Sequence, residues 1–497
     1  MLSVVVFLPL AAGLVLLALP RLPDRVVRWV WVAVSAVDLA LVVALWIGYD
    51  PAAGIGYETN LRWIPTVSSA YHIGVDGLSL PLVAMTAGLF LACAVYSLRQ
   101  ERRVRTFAVL FLLLQTVSLG LFVALDLILF FVFFDVSIVA MYFLIAGWGH
   151  GEAARRSAVQ FFLYTFLGSL VLLLGFIGLY LAAQPHTFDI VELTRQMPLA
   201  GQGVFGGWVL LALVVGLGIK TPVVPFHTWL PPAHTDAPAA ASAILAGVML
   251  KMGTYGFVRI AMPMLPDTWR RYALVIVIVG VVSVVYGALV ALAQTNLKRM
   301  IAYTSVNHMG YVILGVGAAG LVAGSGEQAR TLAVTGAVTQ MVSHGLITGA
   351  LFLLTGVLYA RGGTYDMAAY GGLARPAPRF GLVFAAAAFA SLGLPGFSGF
   401  IAEFQIFTGS LDGAPVPTAI AVLGIVLTAA LFLLALQRVF LGDTRSPQER
   451  PVGDVTAVEA SAIAPLVLLA VVIGVFPRFL LDVIEPAARM VVELVAR

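Results

Sequence analysis

Apolar runs of about 20 residues recur along the whole chain, separated by short polar stretches. A run of that length, coiled at about 1.5 Å per residue, spans the roughly 30 Å hydrocarbon core of a bilayer. Fourteen such segments can be marked, at about 2–19, 29–47, 77–97, 106–123, 126–146, 156–182, 206–230, 238–262, 272–294, 300–320, 331–359, 380–409, 416–440 and 458–477. The pattern predicts an all-α integral membrane protein forming a single membrane domain over residues 1–497. No stretch between runs is long enough for a soluble domain. The first run, Leu2 to Leu19, has no basic segment before it and no small-residue cleavage site, so it is read as a membrane helix and not as a leader. The tail from Pro477 to Arg497 mixes apolar and charged residues at helical spacing and is expected to lie along the membrane surface.

Two runs carry residues that a continuous helix does not tolerate. Pro222 and Pro225 fall inside the seventh, and Pro395 with Gly396 inside the twelfth, in "SLGLPGFSGF". Proline has no N–H and disturbs the helical ladder. A break at membrane depth persists only where protein or a water-filled cavity satisfies the freed backbone. Paired interrupted helices in two halves of a chain mark an internally repeated transporter with its pathway at the breaks. Simple proline kinks are the alternative.

Composition confirms the class. Of 497 residues, 61% are hydrophobic and 10% charged, and the mean hydropathy is +1.02; soluble domains carry about 25% charged residues. A net charge of +4 over this length is no nucleic-acid signature. Cys93 is the single cysteine, which excludes a disulfide within the chain and any zinc or iron–sulfur site built from several of its thiolates. No GxGxxG or P-loop opens a strand–helix unit, and no HExxH occurs. With the N-terminus outside, 17 basic residues, Arg450 among them, fall on the cytoplasmic side against 9 on the other. That excess predicts both termini on the outer side of a bacterial cell membrane.

The charges inside the runs carry the chemistry. Of 28 basic residues only three are lysines: Lys220, Lys251 and Lys298. Lys298 stands beside Arg299 and reads as an ordinary helix flank. Lys220 and Lys251 follow the apolar stretches "LLALVVGLGI" and "ASAILAGVML". A charge at a helix centre costs about 2.5–3.5 kcal/mol on insertion scales. Guanidinium stays protonated, whereas a buried ammonium can release its proton, so lysine in an arginine-rich chain fits a proton carrier. Asp135 and Glu403 lie in equally apolar sequence, with Asp38 in weaker context, while Asp126 reads as a helix cap. His227, His308 and His344 lie in or near membrane runs, and histidine relays protons near neutral pH. His234, in "PPAHTDAP", reads as a loop residue. Static ion pairs that fix helix packing are the competing account of the whole set.

"GLGIKTPVVPFHTWLPPAHTDAPAAASAILAGVMLKMGTYGFVR", "FFLYTFLGSL", "NLKRMIAYTSVNHMGYVILG" and "GLPGFSGFIAEF" closely resemble the signatures of the antiporter-like subunits of respiratory complex I and of multisubunit cation/proton antiporters. The resemblance implies 14 helices arranged as two inverted five-helix repeats, at about 106–262 and 272–440, followed by a C-terminal helix and tail at 458–497. It assigns Lys220 to the broken helix of the first repeat, Lys251 to the centre, Glu403 to the broken helix of the second, and His227, His308 and His344 to the links between them. Asp135 stands where the family usually has glutamate, one methylene shorter, about 1.5 Å. The implied function is proton translocation in an NADH–quinone oxidoreductase. NADH, FMN, iron–sulfur clusters and quinone are then expected in partner subunits and no cofactor in this chain. The partners would be other membrane subunits, including antiporter-like subunits L and N, in a lipid bilayer. A subunit of a gradient-driven sodium/proton antiporter is the alternative.

Overall fold

The computed structural model describes residues 1–447 and 452–497; Arg450, counted above with the cytoplasmic residues, lies outside them. Helices α1 (Leu2–Ala18) and α2 (Asp24–Ile47) lead into a hairpin, β1 (Gly56–Ile64) and β2 (Ser69–Val75). Then come α3 (Leu80–Tyr96), α4 (Val104–Val123), α5 (Leu127–Trp148), α6 (Ala154–Ala182) and the short α7 (Ile190–Gln196). The pair α8 (Gly203–Lys220) and α9 (Leu230–Asp236) precedes α10 (Ala239–Met264). The chain continues through α11 (Pro266–Leu292), α12 (Leu297–Ala318), α13 (Glu327–Gly362), α14 (Pro378–Ser391), α15 (Ser398–Leu411), α16 (Pro415–Phe440), α17 (Ala457–Val475) and α18 (Arg478–Ala496).

Eleven of these helices are long and apolar enough to cross a membrane. Three further crossings, α1, α12 and the pair α14–α15, bring the total to the fourteen expected from the sequence. Alternation of short loops places both termini, the hairpin, α7 and α18 on one face, called here the terminal face. The loops that follow α1, α3, α5, α9, α11, α13 and α16 lie on the opposite face. α18 buries Leu480, Val483, Ile484, Ala488, Val491, Val492 and Val495 along one side, as the tail's periodicity predicts. The strands were not anticipated. The antiparallel hairpin is pinned by His72, whose Nδ1 lies 2.5 Å from Asp189 Oδ2 at the start of α7 and whose Nε2 lies 2.7 Å from Glu58 Oε1. Burial opposes a charge on His72, but hydrogen bonds and charge from Asp189 and Glu58 outweigh it and raise its pKa above the ordinary histidine value.

The order of three unbroken crossings, one broken crossing and one unbroken crossing occurs twice, in α4–α10 and again in α11–α16. Five crossings is an odd number, so the second unit starts from the opposite face and is inverted. Helices α11 and α12 approach backbone to backbone. A Cβ on Gly280 would lie 2.6 Å from Leu314 N, and one on Gly310 would lie 2.7 Å from Val284 N. Small residues at such crossings are how membrane helices gain close packing without a hydrophobic driving force between them. Helices α10 and α13 are sealed from lipid along their apolar lengths, and they carry the central polar side chains.

Both predicted breaks are true gaps and not kinks. Residues 221–229 separate α8 from α9, and residues 392–397 separate α14 from α15. Protein groups satisfy part of the freed backbone of the first gap: Val224 N donates to Ser283 Oγ at 3.0 Å, and Trp229 Nε1 donates to Ile219 O at 3.0 Å.

Candidate functional site

Lys251 lies fully buried in α10, flanked by two π-helical stretches, Leu245–Met249 and Phe257–Ala261. Such widened turns are frequent at functional sites. Lys251 Nζ donates to the carbonyl of Ala246, inside the first widened stretch, at 2.6 Å. The same Nζ is 2.6 Å from His344 Nδ1 on α13. His344 Nε2 is buried without a partner. The ring of His308, on α12, lies 5.3 Å from that of His344, centroid to centroid. Between them is a cavity of about 10 Å³, lined also by Gln340, Ser343 and Ser391. That is about the space one water needs, and the lining supplies polar partners for it.

His308 continues the row. Its Nε2 is 3.2 Å from Ser391 Oγ, at the lip of the second gap, and Gln340 Nε2 lies 3.1 Å from its Nδ1. His308 Nδ1 is 3.6 Å from Glu403 Oε1. Glu403 is buried in the second turn of α15, and its carboxylate reaches back over the gap. Gly393, at φ +77°, makes room for it: a Cβ there would lie 2.4 Å from Glu403 Oε2. Lys251, His344, His308 and Glu403 thus form one buried row across four helices, joining the centre of the chain to its second break.

Lys220 and Asp135 form a separate group. Lys220 is the last residue of α8, buried, with Nζ 3.0 Å from Ser137 Oγ and 4.6 Å from the centre of the Phe134 ring. A helix C-terminus carries partial negative charge, which favours a cation there. Asp135 is near enough to act on Lys220 electrostatically, yet the two make no ion pair within 4.0 Å. Asp135 turns to Ser169 on α6, and its Oδ1 is buried without a hydrogen-bond partner. The group that Lys220 Nζ bonds is the Ser137 hydroxyl, not the Asp135 carboxylate.

Three expectations need correction. His227 does not lie two turns along the same face as Lys220, because residues 221–229 are not helical; its ring packs 5.1 Å from Tyr286 and 6.3 Å from Tyr303 instead. Lys298 is no ordinary flank: it is wholly buried, with Nζ donating to Ala237 O at 2.5 Å and 3.4 Å from Tyr365 Oη. His234 is not in a loop but in α9, fully buried against Phe352 at 4.5 Å, with neither ring nitrogen partnered. Asp126 caps α5 as expected, accepting from Ile128 N and Leu129 N. Asp38 is buried on α2 and accepts from Gln115 Nε2 at 2.6 Å, remote from the central row.

An inverted pair of five-helix units with broken fourth helices and a buried lysine–histidine–glutamate row defines an antiporter-like membrane subunit. The model of the family described as NADH:quinone oxidoreductase/Mrp antiporter, membrane part, matches residues 124–428, and the chain belongs to that family. NADH-quinone oxidoreductase subunit M of Rhodobacter capsulatus is 38% identical over 99% of this chain and 96% of its own length. F(420)H(2) dehydrogenase subunit M of Methanosarcina mazei is 37% identical over 93% of this chain and 92% of its own. Among solved structures, a chain of respiratory complex I from Thermus thermophilus superimposes with a TM-score of 0.89 at 30% identity, with 100% of both chains covered. A chain of the Mrp complex from a Dietzia species has a TM-score of 0.85 at 23% identity over 100% of this chain and 99% of its own, and shares the fold.

Proposed function

We propose that this chain is the proton-translocating, antiporter-like M subunit of a membrane NADH–quinone oxidoreductase. The observation that carries the reading is the row Lys251–His344–His308–Glu403, in which a cation, two imidazoles and a carboxylic acid lie in series, all buried, two of them on helices sealed from lipid. Whole-chain identity to subunit M relatives supports assigning it to the redox-driven enzyme over a gradient-driven sodium/proton antiporter. NADH oxidation, with its FMN and iron–sulfur clusters, and quinone reduction are assigned to partner subunits.

In the proposed cycle, protonated Lys251 gives a proton to His344 Nδ1, and His344 releases its other proton from Nε2 toward His308. His308 passes one to Glu403. Lys251 regains its proton from Lys220, and each imidazole turns its ring to recover its starting tautomer before the next transfer. Asp135 sets how firmly Lys220 holds its proton. Moving one charge against 100 mV costs about 2.3 kcal/mol. A two-unit change in a carrier's proton affinity is worth about 2.7 kcal/mol, which is sufficient. The two units at about 106–262 and 272–440 are the proposed halves of the path. The terminal face is proposed to be the outer one, with protons taken up from the cytoplasm. Asp135 is partly exposed on α5, which supports a neighbouring membrane subunit, L or N, against that side of the helix.

The test is Lys251→Met in the whole complex, reconstituted in sealed vesicles. The complex should assemble with its flavin- and iron–sulfur-bearing subunits and pump at a reduced proton-to-electron ratio. Pumping at the parent's ratio would show that the row carries no protons.

A further inference from the structure

The proposed row leaves unused two buried titratable groups, and they lie together. Lys298 starts α12 on the face opposite the termini, and its Nζ reaches the carbonyl of Ala237, the residue that closes α9. His234 sits three residues earlier, in the last turn of that short helix. Their contacts differ in kind. The Lys298 ammonium is held by two oxygens and lies 5.0 Å from the Tyr365 ring centre. His234 has both nitrogens free in a fully buried site. A buried imidazole with no protein partner at either nitrogen has both free to take or give a proton.

The surroundings form a gradient from surface to centre. At the outer end, half-buried His150 and Asp236 are tied to each other, His150 N donating to Asp236 O at 2.7 Å, and Ser157 Oγ donates to Asp236 Oδ2 at 2.5 Å. His150 stacks on Tyr359 at 4.4 Å, and Tyr359 on Tyr365 at 4.5 Å. Lys298 comes next, within electrostatic reach of Asp236. His234 follows, within electrostatic reach of Lys298 and of the Lys251–His344 pair. Burial is complete from Lys298 inward.

We propose that Lys298 and His234 form a proton uptake branch that feeds the central row directly from the face opposite the termini, bypassing Lys220. The branch rests on the relay reading above. Protonated Lys298 gives one proton to a free nitrogen of His234. His234 gives its opposite ring proton to the neutral Lys251–His344 pair and turns its ring to recover its starting tautomer. Lys298 then regains a proton from that face past Asp236, so one proton enters for each one passed on. The branch also links the two halves, since Lys298 belongs to the second unit and His234 to the first.

The test uses the complete complex in vesicles, with quinone reduction and proton translocation measured together. Lys298→Arg keeps the charge and the donors but does not release a proton. It should assemble, with turnover coupled to pumping lowered about tenfold or more and a reduced proton-to-electron ratio. His234→Gln keeps hydrogen-bonding capacity without titrating and should show the same loss. An arginine variant that pumps like the parent while Lys298→Met fails to assemble would show that the charge only braces α9, and would overturn the branch. Should neither Lys298 variant assemble, parent-level pumping by His234→Gln would overturn it equally. If Lys251→Met removes pumping while Lys298→Arg and His234→Gln leave it untouched, the relay stands and the branch falls.

Discussion

The two broken crossings are built alike and charged oppositely. In the first, the functional side chain precedes the gap: Lys220 is the final residue of α8. In the second it follows the gap: Glu403 lies in α15, reaching back to Gly393. The free carbonyls ending a half-helix carry about half a negative charge, and the free amides starting one carry about half a positive charge. Lysine therefore suits the place before a gap and glutamate the place after it. In helices, side chains lean toward the N-terminus, which turns Glu403 onto the break. The sign of each charge follows from which half-helix holds it, so inverted units present opposite charges at their gaps.

Reversing the signs should break this arrangement most severely. Lys220→Glu would set a carboxylate at the negative carbonyl end of α8, within electrostatic reach of Asp135. Glu403→Lys would set an ammonium near the amide end of α15, facing His308. An unpaired buried charge costs about 3–5 kcal/mol when its partner is lost. The Lys220→Glu complex is expected to lose assembly or all pumping. Glu403→Lys should be milder, because Glu403 is in the second turn, where the helix-end field has weakened. Yield of assembled complex and proton-to-electron ratio read both, and an equal effect at the two sites would refute the helix-end account.

Gly393→Ala should have a smaller and more selective effect. At φ +77° a non-glycine residue costs about 1–2 kcal/mol, so the fold survives. The new methyl, however, falls where Glu403 Oε2 lies, and the flexible carboxylate is what moves. The distance from His308 to Glu403, already 3.6 Å, should lengthen. Pumping should fall well beyond what the modest loss of thermal stability explains, whereas no equivalent substitution at the first gap disturbs Lys220. A stability loss with pumping intact would show that Glu403 does not need its place over the gap.

How far these places could be read from sequence depends on whether tertiary cover was needed. Lys251 and Glu403 were legible because each interrupts an apolar run that leaves no ordinary place for a charge, and the gaps because Pro222, Pro225, Pro395 and Gly396 stop a helix wherever they fall. Lys298 was misread because its neighbours, Arg299 and the polar "QTN", look like a helix flank; its burial comes from Tyr365 and the end of α9, distant in sequence. His234 was misread because "PPAHTDAP" has a loop's composition, although prolines are tolerated in the first turn of α9. The two-turn spacing from Lys220 to His227 failed because it presumed a continuous helix across a gap of nine residues. The hairpin went unseen between spans, where attention to hydrophobic length hides a period of two.

Asp135→Glu should have the smallest effect of these substitutions. The second break holds its acid by backbone geometry, at Gly393. The first holds Asp135 loosely, with one oxygen unpartnered and Lys220 bonded to a serine hydroxyl instead. An added methylene extends the carboxylate by about 1.5 Å. Because Asp135 is partly exposed on α5, the longer side chain has room to move without displacing a core group. It would approach Lys220 and hold the protonated form more firmly. Assembly and the proton-to-electron ratio should stay at the parent's values, with turnover changed by no more than a few-fold, in keeping with about 1 kcal/mol for a pair that gains contact at a half-exposed site. A complete loss of pumping would mean that the bond from Lys220 to the Ser137 hydroxyl is itself a step in the path, and that the first break is as tightly set as the second.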